Sequence, residues 1–236
     1  MPVSFVWFDL GYTLVYQERE TVYRQFLLEQ GIDIGLESIE HAYHLTDKLF
    51  MREYPGALGQ EMHTFYPWYI GVLNYTLQLS FPLSDQCERL RQIEKCRGLF
   101  WRAYPFVPSV LQLLKERSLG LGLISNWDLT ARKVLEENEL SEYFDHIIVS
   151  SEVGVAKPDV EIFKKALQVS GVGPEQSLYV GDNYYDDVIG SSKVGMESCL
   201  INRFGNVGIE EIDSVRTISS VADLPRLLVA ATMHIS

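Results

Sequence analysis

The chain has 236 residues, enough for one large domain or for one domain carrying a sizeable insertion, and its 47% hydrophobic and 22% charged residues suit a globular protein with a real core. A net charge of -12 supplies no basic face for a nucleic-acid backbone. No stretch has the length of a membrane span or the basic flank and cleavage site of a signal peptide, so a cytosolic chain is expected, with neither a nucleic acid nor a membrane as partner.

Taken in chain order, the first predicted element is Val3–Phe8 (VSFVWF), almost continuously apolar and β-branched or aromatic, as a strand buried on both faces requires. From about Val15 to Arg102 the periodicity is helical, in pieces near Glu18–Gln30, Leu36–Glu53, Glu61–Leu79 and Ser84–Arg102. Gly31, the Pro55-Gly56 pair and Pro82 separate these pieces, and no clear strand lies among them. Tyr104–Pro108 reads as a linker. Beyond it, helical patterns at Val110–Arg117, Leu129–Asn138, Val160–Ser170 and Asp187–Val194 alternate with short apolar runs at Leu119–Ile124, His146–Val149, Ser177–Val180 and Ser198–Ile201. That alternation predicts an α/β fold with a doubly wound parallel sheet, residues 1–14 and 105–236, and a helical domain, 15–104, inserted between its first two strands. Cys87, Cys96 and Cys199 are odd in number and widely spaced, which argues against disulfides or a zinc site and makes them packing residues.

Four polar clusters follow the predicted strands. Asp9 comes directly after the first; Ser125-Asn126 follow the second; Lys157-Pro158-Asp159 precede a helix; and Gly181-Asp182, with Asp186 and Asp187, follow a later strand. Singly, each has an ordinary explanation as a turn former, a helix cap, a solvated lysine or acids at a helix start. Jointly they place a carboxylate, hydroxyl and amide donors, one cation and further acids at one rim of a sheet, where open α/β folds bind ligands. That is the inventory of a magnesium-assisted phosphoryl-transfer site.

The ordered set Asp9-x-Gly11-x-Thr13, Ser125-Asn126, Lys157-Pro158 and Gly181-Asp182-x4-Asp187 resembles the four motifs of the haloacid dehalogenase-like hydrolase superfamily, over nearly the whole chain. The resemblance implies a Rossmann-like core with the helical insertion as a smaller all-helical cap domain. It implies Asp9 as nucleophile, forming an aspartyl-phosphate or ester, and Lys157 holding Asp9 and phosphate. Ser125 would bind the transferring group with support from Thr13 and Asn126. Asp9, the Gly11 carbonyl, Asp182 and Asp187 would hold Mg²⁺, with Asp186 as an alternative to Asp187 or a helix cap.

One departure matters. Phosphatases of this superfamily carry a second Asp two residues after the nucleophile, as general acid and base; here the position is Gly11. General acid–base help is worth about 10²- to 10⁴-fold, so alkyl phosphates should be poor substrates. Substrates with good leaving groups, such as acyl or aryl phosphates, or a substitute acid among His41, His44 and His63, would restore turnover. Three activities therefore stay open: a Mg²⁺-dependent phosphatase for a small phosphorylated metabolite, a 2-haloacid dehalogenase or phosphonate hydrolase, and a member that binds a phosphate ligand without catalysis. A phosphonate hydrolase needs a desolvated Schiff-base lysine in the insertion, where only Lys48 and Lys95 occur. The insertion's aromatics, among them Tyr43, Phe50, Trp68 and Tyr69, are expected to form its own core, with a minority lining a pocket. Tyr12 and Trp127, beside two motifs, would touch substrate or pack under the cap. The chain is expected to act as a monomer or homodimer.

Overall fold

The computed structural model describes residues 3–58, 64–98, 100–213 and 215–233. In chain order it has β1 (Phe5–Phe8) and β2 (Val15–Tyr16), then helices α1 (Arg19–Glu29), α2 (Leu36–Glu53), α3 (Phe65–Thr76) and α4 (Leu83–Arg97). After β3 (Arg102–Ala103) come α5 (Val107–Glu116), β4 (Gly120–Ser125), α6 (Ala131–Glu137), β5 (His146–Val149), α7 (Ser150–Val153) and α8 (Val160–Ser170). The last elements are β6 (Ser177–Gly181), a π-helical turn at Tyr184–Val188 running into α9 (Ile189–Ser192), β7 (Glu197–Ile201), β8 (Arg216–Ile218) and α10 (Leu224–Met233).

The chain divides into two compact units: Met1–Tyr16, Trp101–Gly205 and Glu211–Ser236 form one, and Gln17–Phe100 with Asn206–Glu210 the other. The first is built on a six-stranded sheet in the order β5-β4-β1-β6-β7-β8, every pairing parallel. Because side chains alternate along a strand, Val6 and Phe8 of β1 join a cluster with Leu111 and Leu114 of α5, Val134 and Leu135 of α6, and Leu224. Phe5 and Trp7 point the other way, into Ile162, Phe163 and Ala166 of α8. Covering on both faces explains why these strands read as unbroken apolar runs. Truncating fully buried Phe8 to Ala would cost about 3–5 kcal/mol.

In the second unit α1 packs on α2 and α4, and α3 on the same two helices. Its core is Tyr23, Phe26, Leu27, Ile39, Phe50, Tyr69, Ile70, Leu73 and their neighbours. Buried polar groups within it are paired: the Tyr23 hydroxyl donates to Asn74 Oδ1, and the Asn74 and Gln86 amides exchange bonds of 2.7 and 3.0 Å. Arg19 pairs with Asp47, whose Oδ1 also accepts from the Tyr69 hydroxyl at 2.6 Å. The segment Asn206–Glu210 belongs here because the Val207 carbonyl lies 2.8 Å from His44 Nε2.

Several expectations are corrected. Val15–Tyr16 and Arg102–Ala103 form an antiparallel ribbon, so the insertion's edges are not strand-free, and the division falls after Tyr16 and before Trp101 rather than at 14/15 and 104/105. A ribbon of two residues per strand carries no periodicity to read. The linker Tyr104–Pro108 is in part helix, since α5 starts at Val107 with Pro108 in its first turn, where a missing N–H costs nothing. Cys87 and Cys199 are buried and Cys96 is exposed, so Cys96 is not the packing residue expected of it. Lys95 is exposed, which a Schiff-base lysine cannot be, whereas Lys48 is buried with Nζ 3.7 Å from Met51 Sδ. His63 lies outside the described residues.

Candidate active site

The strand register brings the motifs to one rim of the sheet. Phe8 is level with Leu123 of β4 and Val180 of β6, so Asp9 leaves β1 beside the ends of both neighbours. Its N–H still donates to the Val180 carbonyl at 2.9 Å, which extends the parallel pairing by one residue and holds the carboxylate at the strand end.

Lys157 occupies the middle of the cluster. It is 6% exposed, and its Nζ contacts Asp9 Oδ1 at 2.7 Å, Asp187 Oδ1 at 2.6 Å and the Tyr179 hydroxyl at 2.9 Å. Burial by itself would lower its pKa, but the Asp187 and Asp9 charges outweigh that and hold the ammonium well above the ordinary lysine range. The Asn126 side chain grips its peptide from both sides: Nδ2 donates to the Lys157 carbonyl at 2.9 Å, and the Lys157 N–H donates to Oδ1 at 2.8 Å. Asn126 thus caps no helix; it positions the lysine.

Ser125, the last residue of β4, directs its hydroxyl at Asp9 Oδ1 over 3.4 Å. Thr13 is 2% exposed, and its hydroxyl has no protein partner. An unpaired buried hydroxyl costs about 1–3 kcal/mol, a penalty that a bound acceptor would relieve.

The acids divide by geometry. Asp9, Asp182 and Asp187 each offer an oxygen within 4.8 Å of the others. Asp187 comes back over the end of β6 from the π-helical turn, accepting the Asn183 N–H at 3.0 Å. Only glycine permits this at position 181, where a Cβ would stand 2.1 Å from Asp187 Oδ2. Asp186 is outside the trio and accepts from Asn183 Nδ2 at 2.9 Å. The cap of this turn is Asn183, whose Oδ1 accepts from the N–H groups of Tyr185 and Asp186, so neither acid is needed as a cap.

Burial pushes the Asp9 carboxyl above the ordinary range; Lys157 opposes this, and the neighbouring Asp187 charge adds to it. Asp186 is pushed up to about 6 by burial and then by Asp187. Asp9 and Asp187 are buried and share one ammonium, and the half-buried Asp182 adds a third carboxylate beside them. A small divalent cation with hard oxygen ligands fits that donor set.

Gly11 lies in the tight loop after β1, bridged to Val15. Tyr12 beside it has φ of 53°, a left-handed conformation that a non-glycine residue holds only under constraint. Residues missed in the sequence are Tyr179, whose buried hydroxyl accepts from Lys157 and donates to the Ile124 carbonyl at 3.0 Å, and Asn183. A tyrosine inside the apolar run SLYV was the available signal for the first, because a buried hydroxyl requires a partner.

Comparison with known proteins identifies the family and the fold. The model of the haloacid dehalogenase-like hydrolase family matches residues 8–201. A mouse protein, haloacid dehalogenase-like hydrolase domain-containing protein 3, is 37% identical over 192 residues, covering 78% of this chain and 73% of its own length. A glyceraldehyde 3-phosphate phosphatase of Pyrococcus furiosus is 26% identical, covering 96% of this chain and 92% of its own. Among solved structures, a HAD phosphatase from Thermococcus onnurineus superposes with a TM-score of 0.59 at 24% identity, over 97% of this chain and 98% of that one.

Proposed function

This chain belongs to the haloacid dehalogenase-like hydrolase family, and from that premise we propose that it is a Mg²⁺-dependent phosphatase acting on a small phosphorylated metabolite through an aspartyl-phosphate. The observation that carries this reading is Lys157 shared between Asp9 and Asp187 at 2.7 and 2.6 Å, with Asp182 completing a trio of acids whose oxygens lie within 4.8 Å of one another. Asp9, Asp182, Asp187 and the Gly11 carbonyl would hold Mg²⁺, which when bound offsets the charge of phosphoryl oxygens and orients them. The phosphatase named among the relatives supports phosphate-ester chemistry.

The protein's own groups divide the work. Asp9 supplies the attacking oxygen from the end of β1, where its N–H bond to the Val180 carbonyl holds it. Ser125 and Thr13 donate hydrogen bonds to phosphoryl oxygens, the Thr13 hydroxyl having no protein acceptor to give up. Lys157 stays charged through turnover and keeps Asp9 in place. Gly11 moves no proton, so the leaving group must depart as a stable anion or bring its own proton. We expect the enzyme to work in the cytosol; among the described residues no helix is long and apolar enough to cross a membrane.

The test is phosphate release from acetyl phosphate with Mg²⁺ and with EDTA, in wild type and Asp9→Asn. Release that needs Mg²⁺ and falls by about 10³-fold or more in the variant is expected. Release unaffected by EDTA, or an Asp9→Asn enzyme as active as wild type, overturns the reading.

A further inference from the structure

Aromatic rings occupy the space beside the nucleophile where an acid would otherwise stand. A Cβ at Gly11 would lie 3.2 Å from Trp127 Cζ3 and 3.9 Å from the Trp101 ring. A side chain at position 11 would therefore press on the Trp127 ring, which would have to give by a few tenths of an ångström before anything larger than a methyl is added. Trp101 and Trp127 meet edge to face with centroids 4.7 Å apart, and Tyr12 reaches Trp101 at 5.4 Å. Trp127 follows Ser125 by two residues and Gly11 follows Asp9 by two, and the Ser125 and Asp9 side chains meet at 3.4 Å, so the ring contact at Gly11 joins the two segments that carry them.

Trp127 is held rather than merely present. Its indole N–H donates to Thr130 Oγ1 at 3.1 Å, and its backbone N–H donates to Ser150 Oγ at 3.1 Å. With its polar edge satisfied, the ring has only apolar surface left to offer, and both Trp101 and Trp127 remain half-buried rather than covered. A rigid aromatic surface left open beside a nucleophile suits a planar ligand.

We propose that Trp127, braced by Trp101, is a specificity-determining residue that puts an aromatic platform in place of the acid, so that the site takes phosphate monoesters of planar aromatic alcohols. The proposal rests on the phosphatase reading above and names its substrate class. An Asp9 oxygen bonds to phosphorus, the bond from phosphorus to the aryl oxygen breaks, and its electron pair leaves as aryloxide. Phenolic oxygens ionise near a pKa of about 10, so no proton is required for departure, unlike an aliphatic alkoxide. Water then attacks the phosphorus of the aspartyl-phosphate, the bond to Asp9 breaks, and inorganic phosphate and the Asp9 carboxylate result, the water's proton passing to phosphate or aryloxide.

The test combines binding with turnover. Calorimetry in Mg²⁺ compares phenylphosphonate with methylphosphonate, which cannot be hydrolysed, on wild type, Trp127→Leu and Trp127→Tyr. Wild type should bind the phenyl compound about tenfold tighter, with the gap lost in Trp127→Leu and largely kept in Trp127→Tyr. Equal affinities in wild type, or a gap that survives Trp127→Leu, overturns the platform. Glycerol phosphate turnover is compared in Gly11→Asp and in Gly11→Asp/Trp127→Leu; only the double variant should gain, by about 10²-fold. An equal gain in Gly11→Asp alone overturns the competition for space. Acetyl phosphate has a good leaving group and no ring, so it reports the phosphatase reading alone. A phenyl preference without acetyl phosphate turnover sinks that reading and keeps the platform, and the reverse result does the opposite.

Discussion

The two units bury polar groups in opposite ways. In the helical unit the Tyr23, Asn74 and Gln86 side chains satisfy one another, as do Arg19, Asp47 and Tyr69. In the sheet unit Lys157 is shared by two carboxylates, a third stands close by, and the Thr13 hydroxyl has no partner. A closed network stabilises one packing arrangement and asks for nothing more. An open one carries a penalty that a bound ligand would remove. Trp7 Nε1, in β1 and packed among the apolar residues of α8, is also buried without a partner, and nothing in the structure explains it.

The contrast can be broken most directly at Lys157. Lys157→Ala leaves Asp9 and Asp187 buried without their cation and should cost about 3–5 kcal/mol in urea unfolding without divalent metal. Mg²⁺ should recover part of that loss. A Lys157→Ala protein as stable as wild type in EDTA would mean the carboxylates are not held as described.

Next in size is the closed network. Asn74→Ala removes the acceptor of Tyr23 and the partner of Gln86, at about 1–3 kcal/mol for each orphaned group, and should leave Mg²⁺ affinity unchanged. Weaker Mg²⁺ binding in that variant would show that the two networks are not independent.

The smallest effect concerns His44. Burial lowers its pKa below 6.5, against the opposing pull of the Val207 carbonyl. A histidine whose folded pKa is depressed stabilises the fold above its unfolded pKa and loses that contribution as pH falls through the folded value. Wild-type stability should therefore fall slightly more than that of His44→Gln between pH 7 and 5. Identical pH profiles would remove His44 from the docking of Asn206–Glu210.

Much of this was readable because it depends on neighbours in the chain. Strand β5 and helices α2 and α8 coincide with their apolar patterns, since burial on two faces or on one stripe imprints its period locally. The two carboxylates that meet Lys157, Asp9 and Asp187, were also legible, because they follow strands of a parallel sheet whose ends share a rim, whereas Tyr179, inside β6, was not. Less legible was β8, three residues long and with no run of its own.

Local sequence determined the chemical types at the site: the carboxylates, the lysine, the hydroxyls and the glycine at position 11. Tertiary structure alone decided between Asp186 and Asp187, because one turn of backbone can aim only one of two adjacent acids at Lys157. It also paired Val15–Tyr16 with Arg102–Ala103 and set Trp101 against Trp127 beside Gly11. Contacts between residues so distant along the chain leave no local period, and no rule of spacing can announce them.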